Sequence, residues 1–162
     1  MVTRGAISLK FSQYLDPNLV LFLTAPSQNE AIDALIACLS SAGKLVDQGA
    51  FRSAILHREQ LVSTGIGLGV AIPHAKMKEI PDFFIAIGIQ QKRGLEWRSL
   101  DKAPVRLIFM IGGPDDRQTE YLQILSQLTS AIREADLRKA LLVAESPEEV
   151  LDLFVEFYQT VR

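Results

Sequence analysis

The stretch Glu59-Gln60-Leu61-Val62-Ser63-Thr64-Gly65-Ile66-Gly67-Leu68-Gly69-Val70-Ala71-Ile72-Pro73-His74 decides how this chain is read. It begins as the end of a helix and crosses glycines at the alternate positions 65, 67 and 69. It then becomes a short apolar run and delivers one histidine behind a proline. Glycine lets the backbone take φ > 0 or approach another group closely. Pro73 fixes its own φ and confines Ile72 to extended conformations, so the chain entering His74 is stiff. A position just after a short buried strand is where α/β folds place their sites. On spacing alone, a structural loop whose histidine caps or packs is an equal reading.

Elements alternate on both sides of this stretch. Leu19 to Leu23 reads as a strand, broken by Thr24-Ala25-Pro26. Ser27 with Glu30 three residues on is a capping box, and Ala31, Ile32, Leu35, Ile36 and Leu39 form one helical face. Ser40-Ser41-Ala42-Gly43 ends that helix. A second helix is predicted from about Asp47 toward Glu59, with Phe51, Ile55 and Ala54 facing inward. Val70 to Ile72 leaves room only for a short strand. Phe83 to Ile89 and Val105 to Ile111 are near-continuous apolar runs and predict central strands buried on both faces. Trp97 lies in the connection between them, a candidate edge strand. A long helix follows over about Thr119 to Arg133, with Leu122, Leu125, Leu128 and Ile132 as its stripe. A shorter one holds Leu137, Leu141 and Leu142. The last starts at Ser146, with Pro147 at the first helical position and Glu149 completing a capping box. This pattern predicts an α/β fold with a mixed, mostly parallel sheet between helices.

Composition narrows the functional classes. The chain has 162 residues, 48% hydrophobic and 22% charged, which suits one globular domain over 1–162. A net charge of -2 argues against a non-specific grip on nucleic acid. The first ten residues lack the apolar core of a signal peptide, and no apolar run approaches the ~18 residues of a spanning helix. Membrane insertion is therefore not expected. Cys38 is the only cysteine. No internal disulfide can form, and a reducing cytoplasm is the simple reading.

Several chemistries drop out at the glycine-rich stretch. Counted from Gly67, Ile72 occupies the third glycine position of GxGxxG, and no GKS or GKT follows, so neither nucleotide loop fits. No histidine, cysteine or carboxylate stands at zinc-ligand spacing from His74, and no metal or other cofactor is expected. There is no GxSxG elbow. Cys38, next to Leu39 on a predicted helix, reads as a small core residue. His57, beside Arg58 on a polar stretch of helix, reads as solvated. A lone presented imidazole remains, able to act as general base, proton shuttle or nucleophile. Phosphoryl transfer needs in-line positioning with positive charge or N–H donors around the equatorial oxygens. The turn at Thr64, Gly65, Ile66 and Gly67 could supply N–H groups and the Thr64 hydroxyl, and Arg58 the charge.

The residues Glu59 to Ala75 resemble the signature of the fructose/mannitol-type (type 2) enzyme IIA domains of the bacterial phosphoenolpyruvate-dependent phosphotransferase system. Glu59 matches its acidic or amide position, Ile66-Gly67 its apolar-plus-small pair, and Val70-Ala71-Ile72-Pro73-His74-Ala75 its closing run. Leu100-Asp101, Pro104-Val105, Leu107, Phe109 and Pro114 resemble the family's later strand region, and Ser146 to Phe154 its closing helix. The likeness runs from about Leu9 to Leu153.

The resemblance implies a mixed sheet of about five strands between helices, with the active histidine in a shallow cleft at the sheet edge. It implies that His74 accepts a phosphoryl group from the phosphohistidine of the carrier protein HPr, with Arg58 as the active-site arginine. A sugar-specific member passes the group to a IIB domain. A regulatory member of the nitrogen type tunes partners such as potassium transporters and sensor kinases. The wording Ser63-Thr64-Gly65-Ile66-Gly67-x-Gly69 and the absence of a fused IIB or membrane segment favour the nitrogen type. Many members carry a second histidine near the start of the long helix, where this chain has Tyr121. A tyrosine can offer O–H but no positive charge, or it can simply pack with Leu125 and Leu128. Ala75 stands where glycine is common, and Leu68 where nitrogen-type proteins usually have asparagine.

Overall fold

A computed structural model describes residues 10–160. Two 3-10 turns, Phe11–Tyr14 and Pro17–Leu19, lead into strand β1 (Val20–Leu23). Helices α1 (Gln28–Ser41) and α2 (Gln48–Leu61) follow, then short strands β2 (Gly65–Gly67), β3 (Val70–Ala71) and β4 (His74–Lys76). The long strands β5 (Phe84–Gln90) and β6 (Leu107–Gly113) precede helices α3 (Gln118–Ile132), α4 (Ala135–Val143) and α5 (Pro147–Thr160).

The strands form one sheet in the order β1-β5-β6-β3-β2, with β4 also paired to β6. β1 runs parallel to β5, and both β3 and β4 run parallel to β6, while β5–β6 and β2–β3 are antiparallel. The sheet is mixed and mostly parallel, as expected, but it has six strands rather than about five. The extra strand comes from the glycine-rich stretch. β3 pairs with Leu107 and Ile108, and β4 with Ile111 to Gly113, so the two are halves of one strand interrupted at Ile72-Pro73. Proline has no N–H to give to the ladder, yet the Pro73 carbonyl still accepts from Ile111 N at 2.9 Å. The pairing with β6 is therefore continuous across the break.

Every residue of β5 and β6 is buried, as central strands require. Side chains alternate across the pleat. Ile85, Ile87, Ile89, Leu107, Phe109 and Ile111 pack under α3, α4 and α5. Phe84, Ala86, Ile108 and Met110 pack under α1 and α2. The result is three layers with two apolar cores.

Local signals account for most boundaries. Ser27 Oγ accepts from Glu30 N at 3.2 Å and donates to the Glu30 carboxylate. Asp47 caps α2 through Ala50 N at 3.0 Å. Past α1, Gly43 takes φ 75°, with Gly43 N on Ser40 O and Lys44 N on Leu39 O, a Schellman ending. At α5, Ser146 Oγ accepts from Glu149 N, and the Glu149 carboxylate reaches back to Glu145 N, both within 3.1 Å. The stripe of α3 differs from the expected one. Its buried face is Tyr121, Ile124, Leu128, Ala131 and Ile132, and Leu122 is 52% exposed. A repeat of three residues from Leu122 drifts off a 3.6-residue helix, whereas 121, 124, 128 and 131 stay in line. The Trp97 connection keeps a single bridge, Leu95 with Val105, instead of an edge strand, and the Trp97 indole is buried. Cys38 is half-buried and packs on the core cluster under α1.

Candidate functional site

The glycines at 67 and 69 serve the turn between β2 and β3. Gly67 pairs with Val70, leaving Leu68 and Gly69 as the two loop residues. Their φ values are 62° and 74°, the positive pair that a two-residue type I′ hairpin demands. Gly67 has φ 96° and sits at a register shift, so the hairpin bulges before it turns. Asp101 holds the tip by accepting from Leu68 N at 2.9 Å. The hairpin then feeds directly into Ile72-Pro73-His74.

His74 is the first residue of β4, opposite Ile111, and is half-buried. Its Nδ1 lies 2.9 Å from the Ile72 carbonyl oxygen. A carbonyl can only accept, so Nδ1 carries the ring proton and Nε2 keeps its lone pair. Burial depresses the His74 pKa below its ordinary value, and the positive charges of Arg58 and Lys76 depress it further. The Ile72 carbonyl and the Glu59 carboxylate act in the opposite sense. The ring is thus neutral near pH 7 and nucleophilic at Nε2.

The structure brings Arg58 and Tyr121 to this ring. α2 packs along β4, and Arg58 in its last turn is close enough for its charge to be felt by both His74 and Tyr121. One Arg58 Nη donates to the Val62 carbonyl at 2.9 Å, which holds the guanidinium at the end of the helix. The Tyr121 ring lies 5.8 Å from the imidazole and 6.2 Å from Phe83, so it is at once a core residue and a wall of the site. Burial raises its pKa. Lys76 was missed in the sequence. Its ammonium sits 4.3 Å from the centre of the Tyr121 ring and also donates to Gln118 Oε1. Residues i and i+2 of a strand share a face, and that spacing from His74 is the signal that could have found it.

Of the expected phosphate-side residues Thr64, Gly65, Ile66 and Gly67, the first two spend donors within the protein. Thr64 N donates to Glu59 Oε1 at 3.2 Å and Thr64 Oγ1 donates to Glu59 Oε2. Gly65 N is taken by Ser63 Oγ at 3.0 Å. Thr64 and Gly65 are both buried. Ile66 points outward, 49% exposed, beside Leu61, Val62 and Leu68. These exposed apolar residues all fall between the end of α2 and the tip of the hairpin, while Met77 packs into the core under α1 and α2. His57 is exposed, as expected.

The family model described as "Phosphoenolpyruvate-dependent sugar phosphotransferase system, EIIA 2" matches residues 13–156. The chain belongs to this family. As a type-2 IIA protein it is a component of a phosphotransferase system. It is similar to the "PTS system fructose-specific EIIABC component" of Bacillus subtilis, 37% identical over 146 residues, which is 90% of this chain and 23% of that protein. This IIA chain thus spans about a quarter of that relative's length. It is also 36% identical over 126 residues to the "PTS system fructose-specific EIIA component" of Haloferax volcanii, covering 78% of this chain and 81% of that one. In fold it resembles the crystal structure of nitrogen regulatory protein IIA-Ntr from Neisseria meningitidis, with a TM-score of 0.81 at 25% identity. That match covers 88% of this chain and 97% of the other. Among the described residues, no helix is long and apolar enough to cross a membrane.

Proposed function

We propose that this IIA protein is a phosphohistidine carrier, with residues 1–162 acting as one IIA domain and His74 accepting a phosphoryl group from the phosphohistidine of HPr. The His74 Nε2 lone pair attacks phosphorus in line. A new N–P bond forms as the donor's N–P bond breaks, and that electron pair returns to the donor imidazole. Nδ1 keeps its proton throughout, so the positive charge arising on the His74 ring is shared with the Ile72 carbonyl. Arg58 neutralises the transferring group, and Lys76 and Tyr121 line its other side. The observation that carries this reading is the 2.9 Å contact of Nδ1 with Ile72 O, which leaves Nε2 as the only basic ring nitrogen. No cofactor is needed, and a cytoplasmic setting goes with HPr as donor.

The same phosphohistidine has two downstream uses, each with a supporting observation. A regulatory, nitrogen-type role, acting on targets such as a potassium transporter or a sensor kinase, draws support from the TM-score of 0.81 with IIA-Ntr of Neisseria meningitidis. Onward transfer to a IIB domain draws support from the 37% and 36% identities to fructose-specific proteins. Incubation with phosphoenolpyruvate, enzyme I and HPr leaves acid-labile phosphate on the intact protein and none on His74→Ala. No phosphate on the wild type, beside an active control IIA, overturns the proposal. Chasing the phosphorylated protein with a fructose-type IIB then separates the two uses: loss of label means sugar transfer, retention means regulation.

A further inference from the structure

We infer that Thr64 is a positioning residue for His74, locked by Glu59 and Trp97 and acting through the Ile72 backbone. Its consequence for transfer rests on the phosphohistidine reading above; its geometry does not.

Thr64 is 4% exposed and Trp97 1% exposed. Trp97 Nε1 donates to Thr64 Oγ1 at 3.2 Å. An indole N–H is a donor only, so the Thr64 hydroxyl must accept from it and send its own proton elsewhere. That proton goes to Glu59 Oε2, while Thr64 N goes to Glu59 Oε1. The chain Trp97 to Thr64 to Glu59 therefore has one direction, and the Thr64 side chain one rotamer that satisfies it. Ser63 reinforces the arrangement by donating from Oγ to the Trp97 carbonyl.

Glu59 is costly where it stands. It lies in the last turn of α2, where the helix dipole disfavours negative charge. Two donors from one threonine, with a weaker contact from Gln28 Nε2 at 3.4 Å, compensate it. An ordinary surface loop has no need of such an arrangement.

The lock reaches the imidazole by two hydrogen bonds. Thr64 O accepts from Ile72 N at 3.0 Å, and Ile72 O accepts from His74 Nδ1 at 2.9 Å. Between them Pro73 keeps Ile72 extended. With its N–H anchored by Thr64 and its ψ confined by Pro73, Ile72 has one direction in which to aim its carbonyl. That direction selects the His74 tautomer.

The test is nitrogen-15 NMR of the His74 imidazole, alongside the rate of phosphorylation by HPr. The wild type should show one Nδ1–H tautomer. Thr64→Val keeps the shape but removes the hydroxyl. It should give a mixture of tautomers and a rate lower by about tenfold to a hundredfold, the cost of a small misplacement. Thr64→Ser, which restores the hydroxyl, should recover most of both. Should Thr64→Val not fold, Glu59→Gln reads the same two quantities without touching the core. Unchanged tautomer populations in the folded variant overturn the inference. A wild type that takes no phosphate from HPr sinks the carrier proposal instead, and the NMR result alone then decides the role of Thr64.

Discussion

Gly65→Ala isolates how tightly the loop that precedes His74 is packed. An added Cβ would stand 2.2 Å from Ser99 Oγ, 3.1 Å from Ser99 Cβ and 3.2 Å from Ser99 Cα. Ser99 is 5% exposed, and its hydroxyl has no hydrogen-bond partner among the described residues. The hydroxyl can therefore rotate away at small cost. Cβ and Cα cannot, so the two segments must part by a few tenths of an ångström. Overpacking of this kind costs about 1–3 kcal/mol. With one rotatable atom among the three, the lower half of that range applies, about 1–2 kcal/mol, or a drop of roughly 2–8 °C in Tm for a domain of this size. Urea unfolding should show a lower midpoint at unchanged slope. Ser99→Gly removes both Oγ and Cβ, and in that background the cost of Ala at 65 should shrink by about 1 kcal/mol, a direct coupling between neighbours. A single variant within about 0.5 kcal/mol of wild type, or a cost unchanged by Ser99→Gly, refutes the reasoning.

Two further outcomes follow from the site. Burial, aided by Arg58 and Lys76, holds the folded His74 pKa below the unfolded value of about 6.5. Above that pH the ring is neutral in both states. As pH falls through it, the unfolded chain binds the proton first, so stability falls with pH and levels off below the folded pKa. Urea unfolding between pH 8 and 5 should show this fall in the wild type and a shallower one in His74→Gln; the opposite order refutes the depressed pKa. Arg58→Lys keeps a charge but loses the planar guanidinium that donates to Val62 O and whose charge reaches the ring. Phosphorylation by HPr should slow about a hundredfold, the loss typical of one transition-state donor, with the circular dichroism spectrum unchanged. A wild-type rate would leave Arg58 only its helix-ending role.

Much of the frame could be read from single residues because local rules act without competition there. Ser27, Asp47 and Ser146 are free to cap, and each caps. β5 and β6 announce themselves because both faces need apolar side chains. The α3 stripe was misread because its apolar residues outnumber those that one face can hold. Only the sheet beneath decides that Tyr121 and Ile124 turn in and Leu122 turns out. The partners of the Thr64 hydroxyl are not legible in the sequence for a related reason. Its partners Glu59 and Trp97 are 5 and 33 residues away, and only folding brings them together. Leu68 was marked in the sequence as an unexpected residue, and its φ of 62° explains why asparagine suits that position. A leucine there carries roughly 1–2 kcal/mol of backbone strain. It stays half-exposed at the hairpin tip, so no core packing is tied to that strain.

The tautomer of His74 is set by the backbone, and the proline before it bears on that arrangement. A side-chain carboxylate on Nδ1 would also fix the proton, but it would raise the ring's pKa by attraction. At pH 7 that would keep part of the ring protonated and Nε2 occupied. The Ile72 carbonyl supplies orientation with only a dipole, so burial and the nearby cations can still hold the ring neutral. For a carbonyl two residues back to reach the imidazole, the chain must not relax into a helix or a regular strand between them. Pro73 removes one N–H from the ladder and keeps the residue before it out of the helical region. The interruption between β3 and β4 thus coincides with the residue whose carbonyl faces the imidazole, and the glycine hairpin before it turns β2 back along β3.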